Sequence, residues 1–319
     1  MPTWTIVYLE PVPPEVEAII RSRLPAGFEL RLRRRDETAQ SALTDADFAV
    51  VATTPIPASA LQAGKRLRLI QHQGVGYEKT DVQAAAALGI PVAVCPAGTT
   101  IGVAEHTLLL ILAVYRRLAQ ADASLRRGEW LQWELRPGSY ELAGKTLGLV
   151  GFGRIGEAVA RRAAAFEVKL TACEPSRGRR AAGEALGVRF QELDDLLATA
   201  DIISLHVPLT PETHHLINAD SLARVKPTAV LVNTARGGLV DETALVDALR
   251  TGRLCGAGLD VFEKEPLAPC HPLCELPNVV ITPHISAGTR DALQTKMDAC
   301  FANLARVARG EAPLNLVAP

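Results

Sequence analysis

One glycine-spaced turn constrains this chain more than any other stretch of it. In Gly148-Leu149-Val150-Gly151-Phe152-Gly153-Arg154-Ile155-Gly156, the apolar run Thr146 to Val150 leads into the turn, and Ala158, Val159 and Ala160 carry a helical pattern on towards Phe166. Each glycine answers a steric demand. Gly151 permits the tight turn, Gly153 leaves room for the backbone to approach a pyrophosphate, and Gly156 lets the helix pack close to the strand. The unpaired amides at the helix start, aided by the helix dipole, favour phosphate. The next strand pattern, Val168 to Cys173, ends at Glu174. An acid there suits the ribose hydroxyls of NAD and repels the 2′-phosphate of NADP. Arg177, Arg179 and Arg180 follow, and arginines can hold that phosphate. NAD is the expected cofactor, with NADP left open.

Short apolar runs alternate with longer helical patterns along the whole chain, which predicts α/β architecture with open parallel sheets. The predicted strands are Thr5 to Leu9, Phe48 to Ala52, Leu67 to Gln71, Val92 to Val94, Thr146 to Val150, Lys169 to Cys173, Ile202 to His206, Ala229 to Asn233, Gly256 to Asp260 and Val279 to Thr282. The later runs are continuous rather than alternating, as strands covered on both faces require. They fall into two blocks, one ending near Pro96 and one running to about His284. A helix predicted over Gly102 to Ala119 separates the blocks. Over Thr107 to Val114 it is apolar almost all round, so it should be buried on most sides, a subunit interface being one way to bury it. A last helical pattern covers Thr289 to Arg309.

Composition narrows the function classes. With 319 residues, 48% apolar and 22% charged, the chain reads as an ordinary soluble globular protein of about two domains. A net charge of −1 gives no polyanion-binding surface. The basic clusters Arg31 to Arg35 and Arg177 to Arg180 read as solvated faces, and no nucleic-acid motif accompanies them. No apolar run is long enough to cross a membrane and no secretory signal is visible. Six scattered cysteines suit reduced thiols in a cytoplasm. Cys270, His271 and Cys274 lie close together, but no second ligand pair follows at zinc-site spacing, so no metal is expected.

Three segments each end a predicted strand and place a polar side chain in the following loop: Arg236 after Leu231 to Asn233, Glu265 after Leu259-Asp260, and His284 after Ile281-Thr282-Pro283. Ligands of open α/β sheets sit beyond the carboxyl ends of the strands, so the three become candidates for one site. A 2-oxo acid needs a cation for its carboxylate and an acid for its carbonyl oxygen. Arginine's planar fork grips a carboxylate with two hydrogen bonds. Histidine exchanges protons near neutrality, and a neighbouring carboxylate favours and orients its charged form.

Gly74-Val75-Gly76, Val103-Ala104-Glu105-His106, Gly148 through Gly156, His206-Val207-Pro208-Leu209-Thr210, Asn233 to Glu242, Asp260 to Pro266 and Pro283-His284 follow in order. In that series the chain resembles the D-isomer-specific 2-hydroxyacid dehydrogenases over nearly its whole length. The resemblance implies two Rossmann-like domains: a flavodoxin-like substrate domain formed by residues 1–98 and 286–319, and a doubly wound NAD-binding domain formed by 99–285. The active site would lie in the cleft between them. It implies that Arg236 binds the substrate carboxylate with backbone amides near Val75 and Gly76, and that His284 is the acid/base with Glu265 supporting it. It implies cofactor contacts from Arg154 and Ile155 at the pyrophosphate, from Glu174 at the ribose, and from His206, Pro208, Ala235 and Asp260. A cytoplasmic homodimer joined through the NAD-binding domain is expected. Glyoxylate or hydroxypyruvate is the favoured substrate; phosphoglycerate and D-lactate are the alternatives, with phosphite dehydrogenase and an NAD-sensing corepressor behind them. Formate dehydrogenases of this fold carry glutamine where this chain has Glu265. Glu174 replaces the commoner aspartate, which is why cofactor choice stays open.

Overall fold

The computed structural model describes residues 3–318. Internal contacts divide the chain into two units, one taking residues up to Thr99 and from Thr289 on, the other Thr100–Gly288. The changeovers between the two units fall at 99 and 288.

The first unit is built on strands β1 (Trp4–Tyr8), β2 (Phe28–Leu32), β3 (Phe48–Val51), β4 (Leu69–His72) and β5 (Val92–Ala93). They pair in parallel in the order β2-β1-β3-β4-β5, the doubly wound order of flavodoxin-like folds. β3 and β4 are buried at every position, which explains their continuous apolar sequences. β2 was not anticipated. Its Phe-Glu-Leu-Arg-Leu sequence alternates because it is an edge strand with one wet face. Its basic run is not merely solvated either. Arg31 holds Glu37 at 2.9 Å and the Ala42 carbonyl, and Arg33 donates to the Leu9 carbonyl at 2.7 Å. The helix Arg290–Ala308 returns to this unit and buries Met297, Cys300, Phe301 and Leu304 in a core with Tyr8, Phe48 and Leu69.

The second unit carries β6 (Thr146–Val150), β7 (Lys169–Cys173), β8 (Arg189–Phe190), β9 (Ile202–Leu205), β10 (Val230–Asn233), β11 (Gly256–Leu259) and β12 (Val279–Ile281). All seven are parallel, in the order β12-β11-β10-β9-β6-β7-β8. Successive strands run outward on opposite sides of the β6–β9 pair, so a switch point opens beyond the carboxyl ends of these two strands. The two-residue β8 is too short to leave a pattern in the sequence.

The long apolar helix packs on this sheet because glycines in β11 clear its path. A Cβ on Gly258 would come within 2.9 Å of Leu110, and one on Gly256 within 2.8 Å of Val114. Burial of Leu110 and Ile111 contributes about 1.5–3 kcal/mol each. The helix runs Thr100–Tyr115 and then breaks, and a second helix, Leu118–Arg126, follows. The expected single helix to Ala119 is thus corrected. Arg117 takes a left-handed conformation (φ 48°) and donates to the Gly138 carbonyl at 3.1 Å. Ile101, Glu105 and Leu109, four residues apart, leave one exposed stripe on the first helix.

Candidate active site

At the β6–β9 switch the glycine turn meets the end of β9. Gly151 has φ +96°, and a Cβ there would lie 2.7 Å from the His206 carbonyl oxygen. A Cβ on Gly156 would lie 2.5 Å from the Gly151 carbonyl oxygen, so only glycine lets the helix Arg154–Ala163 begin so close to the strand. Gly153 differs: its missing side chain faces space, with only the Arg179 guanidinium 4.0 Å away. Gly153 is also the residue before the helix and offers it no side-chain cap. The first amides of that helix, from Arg154, Ile155 and Gly156, have no side-chain cap and suit an anion. The loop therefore fits a pyrophosphate.

Glu174, at the end of β7, is only 4% exposed. One carboxylate oxygen accepts from the Ser176 amide at 2.9 Å; the other accepts from the Phe152 amide at 2.9 Å and from Arg179 at 3.4 Å. Burial works to raise this carboxyl, but the two amides and the arginine outweigh it and hold it below the usual range. It is a fixed anion that ties the glycine turn to the loop after β7.

Beyond β9, the His206 ring bonds Ser204 Oγ at 2.9 Å, and burial lowers it to about 4. Pro208 is exposed two residues on. Beyond β10, Asn233 folds the next turn: its side chain accepts from the Ala235 amide at 3.0 Å and donates to the Arg236 carbonyl at 2.9 Å. Arg236 itself donates to the Ala235 carbonyl at 2.8 Å through Nη1.

Beyond β11 and β12 the chain builds an acid–histidine pair. His284 Nδ1 lies 2.9 Å from Glu265 Oε2, and both side chains keep solvent contact. The other Glu265 oxygen accepts from the Phe262 amide at 3.1 Å. His284 sits at φ +52°, a conformation costly for a non-glycine residue and one that needs surrounding support. Asp260 supplies it. This fully buried acid accepts from Thr282 Oγ1 at 2.6 Å and from the amides of Ile285 and Ser286 at 2.9 and 2.8 Å, while its carbonyl takes the His284 amide at 2.8 Å. His106 reaches the same Thr282 hydroxyl at 2.9 Å. Asp260, read from sequence as a cofactor contact, thus turns its carboxylate to the His284 turn.

In the first unit, Val75 and Gly76 lie in the loop after β4, where Val75 is 43% exposed. Beneath them His72 is buried, bonded to Thr80 Oγ1 at 3.0 Å, and held by burial at about 4. In the second unit a depression lined by Tyr115, Tyr140, Cys255 and Asn278 lies at the amino ends of β10, β11 and β12, at the opposite end of the sheet from Arg236, Glu265 and His284. Cys270 and Cys274 are exposed, and His271 between them bonds Glu242 at 3.2 Å. Glu242 and His106 both stand within the sequence's series of motifs, which gives neither of them a role.

A seven-stranded parallel sheet with a glycine turn at its switch point and a buried acid after the next strand defines a Rossmann-type dinucleotide-binding oxidoreductase. Residues 108–286 match the NAD binding domain of the D-isomer specific 2-hydroxyacid dehydrogenases. A glyoxylate reductase of Thermofilum pendens is 45% identical over 268 residues, covering 83% of this chain and 79% of the relative. A D-3-phosphoglycerate dehydrogenase of Archaeoglobus fulgidus is 39% identical over 290 residues, covering 90% of this chain and 54% of that longer protein. Among solved structures, the TT0316 protein from Thermus thermophilus superposes with a TM-score of 0.87 at 38% identity, covering 98% of this chain and all of that one. The chain belongs to the D-isomer specific 2-hydroxyacid dehydrogenases, NAD-dependent enzymes acting on a CH–OH group.

Proposed function

We propose that this enzyme reduces a small 2-oxo acid, glyoxylate or hydroxypyruvate, to the D-2-hydroxy acid. In this reading Arg236 binds the carboxylate and His284, supported by Glu265, handles the proton. The observation that carries it is the 2.9 Å His284–Glu265 pair on loops at the carboxyl end of the same sheet as Arg236. Because Nδ1 faces the carboxylate, it carries a proton towards Glu265, which leaves Nε2 as the nitrogen that exchanges the catalytic proton. The carboxylate stabilises the positive charge the ring bears as an acid. Bound NADH supplies the hydride. His284 then protonates the developing alkoxide through Nε2 and takes the proton back in the reverse direction. Arginine's two-pronged fork both neutralises and orients the substrate carboxylate. In this reading backbone amides near Val75 and Gly76 also hold the carboxylate. The role of the first unit is then that of the substrate domain, the second unit being the cofactor domain.

The cofactor contacts follow the same reading: the amides of Arg154 and Ile155 for pyrophosphate, Glu174 for ribose, and His206, Pro208 and Ala235 along the loops after β9 and β10. The glyoxylate reductases among the relatives support the substrate choice. A homodimer through the second unit is supported by exposed Ile101, Leu109, Leu118 and Leu125 on its two long helices, and a cytoplasmic setting by six free cysteines.

The test is a panel of glyoxylate, hydroxypyruvate, pyruvate, 3-phosphoglycerate, formate and phosphite, each with NAD(H) and NADP(H). Glyoxylate and hydroxypyruvate should give the highest kcat/KM. Activity confined to 3-phosphoglycerate would overturn the substrate, and inactivity on every 2-oxo acid would overturn the reading.

A further inference from the structure

Behind Arg236 and Glu265, four ionisable side chains form a continuous brace that the mechanism above does not use. Glu242 and Glu263 exchange backbone bonds: the Glu242 amide donates to Glu263 Oε1 at 3.2 Å, and the Glu263 amide donates to Glu242 Oε1 at 2.8 Å. A histidine flanks each acid. His271 Nε2 lies 3.2 Å from Glu242 Oε2, and His215 Nε2 lies 2.9 Å from Glu263 Oε1. His271 Nδ1 accepts from the Leu273 amide at 3.3 Å, so its proton sits on Nε2 and is donated to Glu242. The His215 amide in turn donates to the Gly238 carbonyl at 2.9 Å.

The chain of bonds therefore joins three loops. Glu242 closes the loop that starts with Arg236, Glu263 stands two residues before Glu265, and His215 ends the loop that follows His206. The backbones are in direct contact as well, since a Cβ on Gly237 would run into the Phe262 carbonyl. Two carboxylates this close repel one another unless something holds them, and the two rings and two amides do so. Burial pushes the Glu242 carboxyl up from its ordinary range, a mark of how far this acid has been drawn out of water.

We propose that Glu242 is a positioning residue for hydride transfer: held by His271, its carboxylate fixes the Glu263 amide and keeps the Glu265 loop in register with the Arg236 loop. The proposal rests on the roles of Arg236, Glu265 and His284 set out above. Loss of the carboxylate should let the Glu265 loop drift from His284, and a misplacement of about 1 Å costs up to about 10²-fold in rate.

The experiment compares Glu242→Ala, Glu242→Gln, Glu265→Gln and the Glu242→Ala/Glu265→Gln double variant of the full chain. It reads kcat, KM for glyoxylate, the pH profile of kcat, and NADH affinity by tryptophan fluorescence. Glu242→Ala should lower kcat by about tenfold or more with KM and NADH affinity changed far less, and should move the pH profile in the same direction as Glu265→Gln. Glu242→Gln keeps an acceptor for the Glu263 amide and should recover most of the rate. The double variant should fall little below Glu265→Gln alone. If Glu242→Ala does not fold, His271→Ala, which removes the donor to Glu242 Oε2, should give a weaker version of the same pattern. Impaired Glu265→Gln beside a Glu242→Ala enzyme that has lost thermal stability but kept its kcat and pH profile overturns the positioning role alone. Wild-type kcat and pH profile in Glu265→Gln overturn the site reading, and this proposal with it.

Discussion

At the carboxyl end of β4 the chain turns through Gly74, Val75 and Gly76 above a buried His72, whereas at the ends of β10, β11 and β12 it turns through Arg236, Glu265 and His284. Both rims crown parallel sheets, and both hold a histidine. His72 is shut away against Thr80 and held neutral by burial at about 4. His206, at the end of β9, is half-buried, bonds Ser204 and is likewise lowered to about 4. His284 alone of the three is more than a third exposed and pairs with a carboxylate at 2.9 Å. The difference teaches that position at a strand end does not make a histidine an acid: a charged partner and access do.

The largest expected effect follows from that contrast. His284→Ala should lower kcat by roughly 10²–10⁴, measured by steady-state NADH oxidation with glyoxylate, while His72→Asn should not approach such a loss. Equal losses would erase the distinction between the two rims.

Acid titration of stability probes His72 and His206. Both rings are depressed from an ordinary 6.5 to about 4, so the unfolded chain takes up protons first as pH falls. Their contribution is fully present above about 6.5 and is lost progressively towards 4. It amounts to at most about 3 kcal/mol for each ring. Urea unfolding at pH 7 and at pH 4.5 should reveal the loss, and His72→Asn should flatten its share. An unchanged slope in that variant would contradict the burial argument.

A smaller effect separates two glycines of one turn. Gly153→Ala adds a Cβ into open space, so thermal stability should stay near wild type while NADH binding weakens by about tenfold or more. Gly156→Ala presses on the Gly151 carbonyl and should cost about 1–3 kcal/mol of stability as well. Calorimetric titration and thermal unfolding of both variants distinguish them; equal behaviour would mean that Gly153 does not face the nucleotide.

Much of this was legible in the chain because strands buried on both faces leave continuous apolar runs, as β9 and β10 do, and because a glycine turn between strand and helix has few other uses. Three features were not. β2 alternates as an edge strand and ends in a basic run, so it reads as surface. The helix break at Arg117 carries neither glycine nor proline, and a left-handed arginine leaves no mark in a sequence. Glu242 follows an N-capping Asp241 and reads as an acid at a helix start; its bond to the Glu263 amide exists only because β10 and β11 are neighbours.

The most direct test of the acid–histidine pair is a double-mutant cycle in kcat/KM for glyoxylate, using Glu265→Gln, His284→Ala and the two combined. If the carboxylate acts through the imidazole, the double variant should lose about as much as His284→Ala alone. Losses that multiply as for independent groups would contradict the account.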